Sequence, residues 1–169
     1  SASDGDQDWI AAELAVLNRI QCHQWPLPSG MTIETLRSQI RQDLNGFWTN
    51  HVRERGNRLM FLPSNGNWTQ RGDGLDIYYP NYPDPHFLRL FGSFDATHEW
   101  NRLVTDVQTL NQTVLSHHAS LGASGQNPMP AKVFVQISGS RFAVENYYQR
   151  SRQEGVPAAD CVDNESDAI

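Results

Sequence analysis

The chain has 169 residues and a formal net charge of -6. That length suits one domain able to bury its own core, and no apolar run is long enough to span a bilayer. The negative charge sits at the ends, in Asp4, Asp6 and Asp8 and in Asp160, Asp163, Glu165 and Asp167. The nearly neutral middle offers no cationic stripe, which argues against nucleic acid as a partner.

Residues 1–8 read as a flexible acidic leader, with room for a removed signal or membrane anchor before Ser1. A single domain over residues 9–155 and an acidic tail over 156–169 follow. The first helix is predicted to start near Asp8, where Asp6 and Asp8 can cap exposed N–H groups and complement the helix dipole. Ile10, Leu14 and Leu17 mark its apolar stripe, and it ends before the Trp25-Pro26-Leu27-Pro28 stretch. A second helix is predicted from an N-cap at Thr32, with Ile33, Leu36, Ile40, Leu44 and Phe47 at spacings of three and four.

From residue 58 to residue 94 the period changes to two. Residues 58–62, 75–79 and 86–94 are predicted strands, joined by turn-forming Gly, Asn and Asp. The third helix is the longest, capped by Asp95 or Thr97, with Trp100, Leu103, Val107, Leu110 and Val114 on its buried face. Val133, Val135 and Ile137 predict a fourth strand, and residues 142–152 a short closing helix. The expected fold is α+β: N-terminal helices, a mostly antiparallel sheet of about four strands, and one long helix packed on that sheet. The helical residues Ile33, Leu36, Ile40, Leu44, Trp100, Leu103, Val107 and Leu110 are expected to be buried against Val133, Val135 and Ile137.

The two cysteines, Cys22 and Cys161, bracket most of the folded pattern. A disulfide between them would require an oxidising compartment, which predicts an extracytoplasmic (periplasmic or secreted) protein. As a nucleophile Cys22 is poorly placed, because the C-terminal end of a helix raises a thiol pKa. Asp4-x-Asp6-x-Asp8 imitates the start of a calcium loop, but Trp9 stands where glycine is needed and Ala15 where glutamate is needed. Helix capping explains the aspartates better. His98 and the pair His117 and His118 lack metal-ligand spacing, and neither metal nor cofactor is expected.

Asp73, Asp76, Asp84 and His86 form an acidic strand-and-loop region that could support acid–base or glycosidase chemistry, although carboxylates there more often form turns. Trp68, Tyr78, Tyr79, Tyr82 and Phe87 cluster near prolines and glycines. Three prolines stiffen residues 80–85, so Tyr79, Tyr82 and Phe87 are the expected binding anchors. Packing between sheet and helices is the competing role for these rings.

The leading expectation is a non-enzymatic extracytoplasmic binding or structural domain with a protein partner in a cell-envelope, pilus or secretion assembly. The alternatives are a small exported hydrolase, using Cys22 or the set of Asp76, Asp84 and His86, and a periplasmic ligand-sensing domain.

Overall fold

The computed structural model describes residues 3–65, 74–120, 130 and 132–146. Four helices and five strands follow in the order α1 (Ser3–His23), α2 (Ile33–His51), β1 (Val52–Arg55), β2 (Arg58–Phe61), β3 (Asp76–Tyr78), α3 (Pro85–Phe94), α4 (Trp100–Ser120), β4 (Val133–Ser138) and β5 (Arg141–Asn146).

The first helix begins at Ser3, earlier than the aspartates suggested. Ser3 and Gln7 are buried and extend the stripe of Ile10, Leu14 and Leu17 into the first turn. Tertiary burial thus carries the helix through the acidic residues, which suit its positive end. The second helix starts at the predicted cap. The Thr32 side chain accepts from Thr35 N, and the Thr35 hydroxyl accepts from Thr32 N.

The expected four-stranded sheet under a long helix is not formed. The strands divide into an antiparallel hairpin of β1 and β2 and a three-stranded antiparallel sheet in the order β3-β4-β5. Two local misreadings account for this. Residues 86–94, expected as a strand, lie in α3: Asp84 caps its N-terminus, Pro85 occupies the first turn, and Leu88 and Phe91 are buried one turn apart. Proline just inside a helix start is a helix signal, not a strand one. Residues 142–146, expected as the start of a helix, belong to β5, which returns from β4 through a turn with Gly139 at φ +62°.

The core divides in the same way. Ile40, Leu44, Phe47, Trp100, Leu103 and Val107 pack with the buried faces of α1 and α3. Only the second half of α4 reaches the larger sheet, where Leu110 and Val114 meet Val133 and Val135. Burial at Leu36, Ile40, Leu44, Trp100, Leu103, Val107 and Leu110 follows the periodicity, but most of these residues pack against helices instead of strands. The two sheets meet at their turns. Gly56, at φ +56°, lies so close to Gly139 that a Cβ on it would sit 2.6 Å from the Gly139 carbonyl oxygen, and Asn57 N donates to the same oxygen. No helix among the described residues is long and apolar enough to cross a membrane.

Candidate active site at the N-terminal end of α1

Three segments converge on the first turns of α1. Ser3 N donates to the Pro63 carbonyl after β2. Gln7, 2% exposed, uses both ends of its amide on the loop between β3 and α3: Nε2 donates to Tyr82 O at 3.1 Å, and Oε1 accepts from Asp84 N at 3.0 Å. A buried amide satisfied at both ends clamps that loop to the helix, because breaking either bond would strand a polar group. Asn111 of α4 holds the loop from the other side. Its Oδ1 accepts from the Tyr78 hydroxyl at 2.7 Å, and its Nδ2 donates to Pro80 O at 3.3 Å.

The two aspartates of the first turn have different surroundings. Residues two apart on a helix point about 200° apart, so one can face in while the other faces out. Asp6 Oδ2 lies 2.8 Å from Nε2 of the fully buried His51. Burial pulls the His51 pKa below its ordinary value, and Asp6 opposes that only in part. The geometry fits a neutral imidazole donating from Nε2. Asp4 is exposed, and its Oδ1 accepts locally from Gly5 N. Both carboxylates reach solvent, since the Asp6 side chain is 39% exposed, but Asp6 is engaged by His51.

The expected binding residues lie next to this end but are not equivalent. Tyr79 and Tyr82 pair, with ring centroids 4.8 Å apart and planes tilted by 36°. Both are half-buried, and Tyr82 also packs on the helical core. Phe87, on the first turn of α3, packs against the same core.

The alternative catalytic groups do not assemble. Asp84 caps α3 and accepts from His86 N, while the His86 side chain is exposed. Asp76 is buried on β3 with Arg55 Nε at 3.4 Å; burial pushes its pKa up, against the pull of Arg55. Cys22 is exposed at the opposite end of α1, with its Sγ 3.2 Å from Asn18 Oδ1. Cys161, Trp68 and Asp73 lie outside the described residues. Among the described residues no three His, Cys, Asp or Glu side chains are grouped to hold a metal ion. Sequence reasoning missed Gln7 and His51, whose only signal was their place at helical spacing beside buried apolar residues.

No protein-family model matches the chain, and no curated protein matches it in sequence. Solved structures do match in fold. A GH8 endo-beta-1,4-glucanase from an Achatina fulica gut metagenomic library is 19% identical, with a TM-score of 0.56 over 85% of this chain. Endoglucanase Cel10 of Klebsiella pneumoniae, a family 8 glycosyl hydrolase, is 19% identical with a TM-score of 0.57. Endo-beta-1,4-glucanase CMCax of Acetobacter xylinum is 17% identical, also with a TM-score of 0.57, over 87% of this chain. The match covers 39–40% of each of those chains. Their fold is an (α/α)6 helical barrel, which explains why the helices here pack on one another and leave the sheets small. The expectation of a non-enzymatic envelope, pilus or secretion component is overturned by this likeness, which is to a hydrolase fold. At such identity the likeness is one of fold, and the chain spans about two fifths of the length of the structures that share it.

Proposed function

We propose that this chain forms part of a glycoside hydrolase that cleaves β-1,4-linked glucan. Asp4 would be one of its reacting carboxyl groups, and the rings of Tyr79 and Tyr82 a surface on which a sugar lies. The observation that carries the proposal is the Gln7 clamp, which fixes the aromatic loop to the helix turn that bears the outward carboxylate. The fold likeness to three endoglucanases supplies the substrate class. Glycosidases act with two carboxyl groups, about 5–9.5 Å apart, on either side of the scissile bond. In this proposal the second comes from the three fifths of the barrel beyond the matched portion. Phe87 packs against the same helical core as Tyr82.

The test is reducing-end release from soluble β-1,4-glucan by the protein purified from its own source. Asp4→Asn should lower turnover by about a thousandfold or more with folding intact, and Tyr82→Ala should raise KM more than it lowers kcat. Undiminished turnover in Asp4→Asn would remove Asp4 from the chemistry, and absence of release from any β-glucan would remove the substrate class.

A polymeric substrate also fits an extracytoplasmic site of action, and so would a bond between Cys22 and Cys161. Alkylation without reductant, followed by mass analysis, should find no free thiol in protein from its native compartment. Two labelled thiols would exclude the bridge.

A further inference from the structure

The rings of Tyr79 and Tyr82 lie 4.8 Å apart, yet they rest on different parts of the molecule. Tyr79 packs with Ile77 and Phe134 of the larger sheet, and Tyr82 packs on the helical core. Any movement of the sheet against the helices would therefore disturb the pair. α4 belongs to both sides. Leu103 and Val107 lie in the helical core, and Leu110 and Val114 in the core of the larger sheet. Asn111 stands where the helix passes from one core to the other.

The chemistry of its partners fixes the Asn111 amide. Pro80 has no N–H and offers only a carbonyl, so Nδ2 must face it, at 3.3 Å. Oδ1 is thereby turned to the Tyr78 hydroxyl, which must donate, at 2.7 Å. Tyr78 is fully buried in the sheet core, and burial pushes its pKa up, so the hydroxyl keeps its proton through the neutral range. Strand, helix and loop are joined at one side-chain amide. Gln7 ties the same loop to α1 through Tyr82 O and Asp84 N, and Tyr82 N closes a turn on Tyr79 O at 3.1 Å. A loop held from both cores loses little freedom when a ligand lies on its rings.

We propose that Asn111 is a positioning residue: by tying Pro80 to the junction of the two cores, it sets the spacing and tilt of the Tyr79 and Tyr82 rings. Its consequence for turnover rests on the glycoside-hydrolase proposal; the placement of the rings rests on the hydrogen bonds alone. Asn111→Asp separates placement from packing. The variant keeps the shape and still accepts from Tyr78. Its ionised carboxylate, however, presents an acceptor to the Pro80 carbonyl, and attraction becomes repulsion. Asp106→Asn is the control for stability alone. Asp106 is buried earlier on α4 and its bonds run to β2, where it accepts from Leu59 N at 2.8 Å and pairs with Arg58.

The experiment measures amide hydrogen exchange and turnover of soluble β-1,4-glucan at neutral pH, in the protein as its source makes it and in both variants. In Asn111→Asp, exchange at the Tyr82 amide should quicken about tenfold or more relative to the Leu103 amide of the helical core. KM should rise about fivefold or more, with kcat within about twofold of wild type. In Asp106→Asn the Tyr82 amide should not quicken relative to Leu103, and KM should stay within about twofold. Tyr82 exchange that Asn111→Asp leaves unchanged relative to Leu103 overturns the inference. So does an equal rise of KM in the two variants, which would make Asn111 a contributor to stability only. Quickened exchange at Tyr82, in a protein whose wild type releases no reducing ends, would sustain the positioning role and defeat the hydrolase proposal. Turnover with KM unmoved in Asn111→Asp would do the reverse.

Discussion

Two carboxyl groups in this molecule are shifted in opposite directions, and their surroundings explain why. Asp95, between α3 and α4, is 8% exposed. Burial alone would raise its pKa, but hydrogen bonds from Thr97, His98 and Trp100 outweigh burial and hold it at about 2. Thr97 N and Trp100 Nε1 each donate at 2.8 Å, and His98 Nδ1 lies at 2.6 Å. Glu13, between α1 and α2, faces another carboxylate and sits at about 7. The first is a satisfied structural hub, the second a tolerated conflict. Donors convert burial of a carboxylate into stability, and a second acid beside it, Asp43 in the case of Glu13, opposes ionisation instead.

The largest effect should come from breaking the hub. Asp95→Ala would strand the indole N–H of Trp100, which is 1% exposed, and release the loop that Thr97 and His98 fix. His98 also stacks on Trp48, with centroids 4.9 Å apart, so the disturbance would reach α2. Loss of several charge-assisted bonds around a buried donor should cost about 2–4 kcal/mol. Urea unfolding measures it. A loss under about 0.5 kcal/mol would mean that the hub is ornamental.

The pH dependence sharpens the contrast. Asp95 has a folded pKa below its unfolded value, so its contribution is present above about pH 4 and disappears as pH falls toward 2. Glu13 has a raised folded pKa. Its contribution is complete below about 4.5 and is lost as pH rises to about 7. Allowing for solvent screening of a half-buried group, that loss is of order 1 kcal/mol. His51 works against Glu13 in part of this range. Its lowered pKa means that stability falls as pH drops below about 6.5. Unfolding curves of wild type, Glu13→Gln and His51→Gln between pH 4 and 8 would separate the two. A Glu13 carboxyl that titrates near 4.5 by NMR would end the comparison.

The sequence reveals the helices where apolar spacing is unambiguous. Ile40, Leu44, Leu103 and Val107 lie on the expected faces, and Thr32 caps α2. Two short segments resist such reading. Residues 86–94 carry Phe87, Leu88, Phe91 and Phe94, a spacing that suits a helix as well as a buried strand, and Asp84-Pro85 was the deciding signal. Residues 141–146 hold Phe142 and Val144 on one side, a strand pattern obscured by the helix-forming residues around it. The site was legible only in part. The aromatic loop stands out by composition, and Tyr79 and Tyr82 do pair. Nothing in one dimension shows that Gln7 reaches Tyr82 and Asp84, or that His51 closes on Asp6, because those contacts join residues 45 to 77 positions apart. The aspartates of α1 looked alike as capping groups, and only packing shows that Asp6 is engaged by the buried His51 while Asp4 bonds locally to Gly5 N.

The smallest effect, and the most diagnostic, is expected in Glu13→Gln. Glutamine keeps the shape of glutamate, cannot ionise, and can donate to Asp43 from its amide. At pH 5, where Glu13 is already protonated, the variant should match wild type within about 0.5 kcal/mol. At pH 8 the wild type holds two charged carboxylates together, and the variant should be the more stable by up to about 1 kcal/mol. Natural proteins give up stability of this size where a strained group serves binding or catalysis. A loss above about 2 kcal/mol at both pH values would instead make Glu13 a structural hub like Asp95.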